Sequence, residues 1–220
     1  MKTLVEKFKS ISRIQLVAAI LILIGLGLMI SKGKGLMDFY REVNYASQHD
    51  FAAGNPSPDL LRPWMSIRYI SVAYAVPQKY LMDALEIQPK EENSMISLSR
   101  LNGQMKLGKL DDGRPGVTKL VADAIMAYRN NPVVTGLVEQ KVRDWMTIQY
   151  IANSTGIPPE TFFQAIGIPM DGNAFKPLGF LSEESNYTGG PSAMIATVQK
   201  VVNELAPVSI PVPPPAPDKP

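Results

Sequence analysis

RPWMSIRYISVAYAVPQKYLMDALEI, residues 62–87, returns as RDWMTIQYIANSTGIPPETFFQAIGI, residues 143–168. Laid over one another without a gap, Arg62 meets Arg143, Trp64 meets Trp145, Met65 meets Met146, Ile67 meets Ile148 and Tyr69 meets Tyr150. Further on, Ile70 meets Ile151, Pro77 meets Pro158, Ala84 meets Ala165 and Ile87 meets Ile168. A constant offset held over this distance is an internal repeat, and repeats of this kind bury a face that no single copy can bury alone.

Each copy reads as two short helices joined by a tight turn. Ser66 and Thr147 stand where a hydroxyl caps the first helix. Ile67 and Ile70, like Ile148 and Ile151, then follow at the three-residue spacing of one buried face. In the second copy Gly156 ends that helix, and Ile157-Pro158-Pro159 restarts the chain with proline's preset φ. Phe162, Phe163 and Ile166 supply the apolar side of the second helix, and Gly167-Ile168-Pro169 reads as its left-handed terminator. The first copy has Ala75 and Glu86 where these glycines stand. A side chain in a left-handed cap costs roughly 1 kcal/mol, so the first copy is expected to end its helices differently.

The string Met146-Thr147-Ile148, Ile151-Ala152, Gly156-Ile157-Pro158 and Ala165-Ile166-Gly167-Ile168-Pro169 resembles small helix-turn-helix modules of the form M-T-I, I-A, G-I-P, A-L-G-I-P. Such modules occur appended to bacterial membrane proteins and, more distantly, in DNA-binding regulators. The resemblance covers about two dozen residues per copy and rests on helix-packing positions. It implies a fold and no particular reaction.

Composition removes several chemistries. The chain of 220 residues carries no cysteine and one histidine, His49. Disulfides, thiolate metal sites, cysteine nucleophiles and two-histidine metal motifs are thereby excluded, and no cofactor or metal is expected. A net charge of +2 leaves no electrostatic footprint for nucleic acid.

Around the repeats, residues 1–13 form a basic N-terminal segment. Ile14 to Ile30 is apolar except for Gln15, and residues 14–32 are expected to form a single membrane-spanning anchor in the lipid bilayer. Lys2, Lys7, Lys9 and Arg13 precede it and Lys32 and Lys34 follow. That imbalance places the N-terminus in the cytoplasm and the rest of the chain outside the cell membrane. SKGKG after the apolar run offers no small-x-small cleavage site, so an uncleaved anchor is preferred to a secretory signal. Residues 33–57 read as a juxtamembrane helix and linker, with Phe39, Tyr40 and Tyr45 at headgroup level and a breaker at Gly54-Asn55-Pro56-Ser57-Pro58.

Residues 58–205 read as a helical domain holding the repeats at 62–89 and 143–169. Between these, Met95 to Leu101 is expected to be a short helix and Gly103 to Gly116 an irregular loop. Val117, Leu120, Val121, Ala124, Ile125 and Tyr128 form an amphipathic stripe, expected to be the slab on which both repeats pack. Asp171 to Gly190 reads as a loop. Met194, Ile195, Val198, Val201, Val202 and Leu205 form a second stripe, and residues 206–220 an extended proline-rich tail.

Six residues are candidates for contact with a partner: Arg62, Trp64, Tyr69, Arg143, Trp145 and Tyr150. Paired tryptophans at matching repeat positions are more often core pegs than anchors, and the arginines more often brace an acid than a phosphate. Asp111-Asp112-Gly113 lacks the spaced oxygens of a calcium loop and reads as a turn. His49 beside Asp50 finds no nucleophile motif. Asn153 and Asn186 match the glycosylation pattern by sequence alone. The second helices of the repeats bring Gln78 and Lys79 against Asp83, and Gln164 against Glu160. Such a surface lacks the positive charge that gives nucleic acid its non-specific hold.

The expectation is therefore an all-α, single-pass membrane protein. Its helical domain binds protein partners as a non-catalytic scaffold or accessory subunit of a larger membrane complex. The alternative is a membrane-tethered helix-turn-helix regulator that binds nucleic acid.

Overall fold

The computed structural model describes Tyr45, His49, Phe51 and residues 56–206. Among the described residues the protein is helical, 56% helix, with no strand. Among the described residues β-pairing is confined to isolated bridges, Ser66 with Ser97, Lys109 with Pro115 and Thr147 with Pro177. The chain divides at His49/Asp50 into two compact units. In the first, the His49 ring stacks on Tyr45 at 4.1 Å and its Nδ1 meets the Tyr45 carbonyl at 2.9 Å.

The second unit holds α1 (Ile67–Ala73), α2 (Gln78–Ala84), α3 (Glu91–Ser94), α4 (Leu98–Gln104) and α5 (Val117–Asn130). These are followed by α6 (Ile148–Thr155), α7 (Pro159–Ile166), α8 (Leu178–Glu184) and α9 (Gly190–Leu205). Short 3-10 turns at Pro58–Leu60 and Val138–Gln140 precede the two runs.

The repetition extends well past the two-helix motif. Ser66 and Thr147 both cap their helices, accepting from the Tyr69 and Tyr150 amides at 3.1 Å. Leu98 N–H donates to the Met65 carbonyl at 2.9 Å, and Leu178 N–H to the Met146 carbonyl at 2.8 Å. Thus α4 and α8 are equivalent, with Leu98 and Leu101 buried as Leu178 and Leu181 are. Both helices run into a left-handed residue, Lys106 at φ 54° and Asn186 at φ 49°. In α5, Val117, Val121, Ala124 and Ile125 are buried; in α9, Met194, Val198, Val201 and Val202 repeat that spacing and burial. The second unit is thus a tandem pair: α1, α2, α4 and α5 form copy one, and α6 to α9 form copy two.

Several sequence expectations change. Among the described residues no helix is long and apolar enough to cross a membrane. The longest, α9, has 16 residues and buries only one face, whereas a span needs about 20 apolar residues all round. The anchor expected at 14–32 lies outside the described residues. The single-pass architecture, and the cell-membrane localisation with an outward domain drawn from it, are not supported.

The α5 helix is also no shared slab. It packs on α2 and α4 of its own copy, while copy two has α9 against α7 and α8. A periodic stripe shows that a face is buried, and leaves open against what. The stretch 171–190 contains α8 instead of being all loop, and the short helix expected at Met95–Leu101 begins three residues later, after the Ser97 cap.

Copy one keeps the left-handed turns despite lacking glycine. Ala75 sits at φ 50° opposite Gly156 at 75°, and Glu86 at 57° opposite Gly167 at 69°. Val76 and Ile157 are both buried just beyond the first turn, so packing outweighs a local cost of roughly 1 kcal/mol.

Candidate partner-binding groove

The two copies meet along an unsymmetrical seam. Asn153 of α6 donates through Nδ2 to the Ala75 carbonyl at 2.6 Å, and Tyr128 of α5 donates to the Asn153 carbonyl at 3.4 Å. This places the first glycosylation-pattern asparagine inside the seam. The Arg68 guanidinium lies 5.2 Å from the centroid of the Trp145 ring and pairs with Glu91 at 3.5 Å. Tyr128 also meets Tyr80 edge-on at 5.2 Å. Burial, with the neighbouring Tyr80 phenol adding to it, pushes the Tyr128 hydroxyl up to about 12.

The six candidate residues fall into matched environments. Trp64 tilts against Tyr69 with centroids 5.1 Å apart, and Trp145 against Tyr150 at 5.8 Å. Both tryptophans are half-buried. Tyr69 is half-buried too, whereas Tyr150 is wholly enclosed. Burial raises the Tyr150 phenol, which lies beside Ser154 and Gln78 without a well-formed hydrogen bond. Arg62 donates through Nη1 to the Asp59 and Leu61 carbonyls at 2.8 and 3.0 Å. Arg143 pairs with Glu139 at 3.4 Å. Asp112 closes the acidic turn locally. Its carboxylate accepts from the Arg114 amide at 2.9 Å and from Nε at 2.6 Å, which holds it below the usual carboxylate range.

A groove of about 780 Å³, which no repeat or motif in the sequence marks, lies between the copies. Its spine is Val134 to Leu137, the later part of the linker from α5 to the second 3-10 turn, which Asn131-Pro132 starts by ending α5. Gly136, at φ 77°, turns its amide onto the Ser154 carbonyl at 2.8 Å. Thr135, Leu137 and Val138 are buried at its base, and Lys79, Glu139 and Gln140 stand at the rim. On the far side Val202, Asn203 and Ala206 complete the wall from the end of α9.

The linker amides of Val133, Val134 and Thr135 make no hydrogen bond among the described residues. Glu139 and Gln140 are both left-handed without being glycine, at φ 55° and 53°. Three contacts fix this bend: the Arg143–Glu139 pair, the Gln140 amide on the Leu137 carbonyl at 3.1 Å, and Gln199 Nε2 on the Gln140 carbonyl at 3.3 Å.

An aliphatic base, unengaged main-chain donors and one lysine suit an extended peptide segment, whose carbonyls need donors and whose side chains need apolar cover. The sequence signal was present in Pro132-Val133-Val134-Thr135-Gly136. Read locally, it was only the end of a helix. No protein-family model, curated protein or solved structure matches this chain.

Proposed function

We propose that this chain is a non-catalytic adaptor that holds an extended segment of a partner protein in the groove between its two copies. The observation that carries this reading is the linker: donors without acceptors, running over buried Leu137 and Val138 in an open cleft. The tandem arrangement supports it, because neither copy alone has both walls.

Site-directed photo-crosslinking tests the proposal. A photoreactive side chain placed at Asn203, on the groove wall, is expected to give a discrete protein adduct in cells. The same group at Lys119, exposed on α5, is expected to give none. Equal labelling from both positions, or none from Asn203, would count against the groove. Salt-sensitive retention of duplex DNA, with no protein adduct, would favour nucleic acid as the partner instead.

A further inference from the structure

We infer that the segment taken into this groove carries an aromatic ring and an arginine side by side. That a partner protein supplies them rests on the adaptor reading; the groove's preference for them does not. Copy one holds the pattern, because there the chain fills the matching space with its own side chains.

The two 3-10 turns fix the correspondence. Leu60 N–H donates to the Ser57 carbonyl at 3.0 Å, and Gln140 N–H to the Leu137 carbonyl at 3.1 Å. Ser57 therefore matches Leu137, and Pro56 matches Gly136. Ser57 (φ −64°, ψ 138°) and Leu137 (φ −83°, ψ 147°) share a backbone conformation, so the carbonyls at and before each are aimed alike relative to the turn. The repeat pairs Tyr74 with Thr155, and the register that sets Val117 against Met194 sets Arg129 against Ala206.

In copy one these positions close on one another. The Tyr74 hydroxyl donates to the Ser57 carbonyl at 3.1 Å, and Arg129 Nη2 to the Pro56 carbonyl at 2.9 Å. The guanidinium also lies 5.7 Å from the centroid of the buried Tyr74 ring. Copy two repeats the turn and has neither side chain. Gly136, Leu137, Thr155 and Ala206 all line the groove. Among the described residues no side-chain donor reaches the Leu137 carbonyl, and the Gly136 carbonyl meets only the neighbouring Thr135 hydroxyl at 3.3 Å.

Exchanging a phenol and a guanidinium for a small hydroxyl and a methyl leaves space beside two main-chain acceptors. A ring with a guanidinium stacked on it answers both, and planar arginine stacks where lysine's point charge does not. Asp83, one turn along α2 and close enough to feel its charge, answers Lys79 at the rim. In an extended segment, residues two apart share a side and lie about 6.6–6.8 Å apart. Aromatic-x-arginine, in either order, is therefore the expected pattern.

Two measurements test this. First, Thr155→Tyr and Ala206→Arg are combined in the full chain to rebuild the copy-one arrangement. The new ring is expected to shift the Gly136 and Leu137 amide resonances, and the Asn203 adduct is expected to be lost. Second, the acetylated, amidated peptides Ala-Tyr-Ala-Arg-Ala and Ala-Arg-Ala-Tyr-Ala are titrated into the natural chain. At least one should move the Leu137, Thr155 and Ala206 resonances saturably. Lysine for arginine, or leucine for tyrosine, should then weaken binding about tenfold. Unchanged Gly136 and Leu137 amides in the folded double variant would overturn the ring-and-arginine site. So would peptides that do not saturate or that bind alike after replacement. Shifted amides with a persistent adduct end the inference and spare the adaptor. Selective peptide binding with no Asn203 adduct in the natural chain does the reverse. Should the double variant not fold, the peptides alone decide.

Discussion

Copy one and copy two solve the same backbone problem with different residues. Both need a left-handed residue after their first helix. Copy two uses Gly156 and copy one uses Ala75, at φ 75° and 50°. Glycine lowers the cost of the turn without being its cause, because the turn is imposed by what packs on either side. At Gly156 there is a second demand. A Cβ there would stand 2.9 Å from Val134 Cγ2, against the groove's own linker.

The pair of copies offers a graded series of measurements. The largest effect is expected in the cores. Phe162→Ala in copy two and Leu81→Ala in copy one each empty a fully buried site and should cost about 3–5 and 2–5 kcal/mol in denaturant titrations. A single shared transition in both variants would show that the copies unfold together. Next comes Gly156→Val, which combines the left-handed penalty with the clash on Val134. A loss of roughly 2–3 kcal/mol is expected, together with altered amide shifts along residues 133–136. Ala75→Gly runs the other way, relieving strain and raising the unfolding free energy by roughly 0.5–1 kcal/mol.

Between these lies the seam. Asn153→Ala leaves the Ala75 carbonyl without its donor and should cost about 1–2 kcal/mol. If calorimetry still shows one transition after that change, the join does not depend on this bond.

The subtlest expectation concerns alkali. The Tyr128 phenol is raised from 10.0 to about 12, so the folded form keeps its proton where the unfolded form loses it. Stability from this group is intact below pH 10 and drains away as pH climbs through about 12. Tyr128→Phe should flatten that decline in a series of unfolding curves, and an unchanged slope would assign the decline to other groups.

Much of each copy was legible locally. Ser66, Thr147, Gly156 and Gly167 act through neighbours a few residues away, and the structure shows the caps and turns that their types imply. The span of the duplication was less visible. Between Ile87 and Leu98 copy one is one residue longer than copy two, and it carries α3 where copy two has only turns. A fixed offset therefore loses Leu98 and Leu101 against Leu178 and Leu181, and α8 went unread. The groove was hidden for a different reason. Its walls come from α2, the linker and the end of α9, and no periodicity within one element reports which elements face each other. Arg68 was not singled out either. Its matching residue, Gln149, has no such role, and its own partner, Trp145, lies on the other copy.

The seam joins unlike surfaces. Copy one presents Arg68, Ala75 and Tyr128; copy two answers with Trp145 and Asn153. A head-to-tail join of this kind has no internal twofold. The counterpart of Tyr128 in copy two is Leu205, which is 55% exposed where Tyr128 is 5%. In a polymer chemist's terms the last helix is a live end. Grafting another such module beyond it, with tyrosine at that position, would lengthen the stack by the rule that already built it.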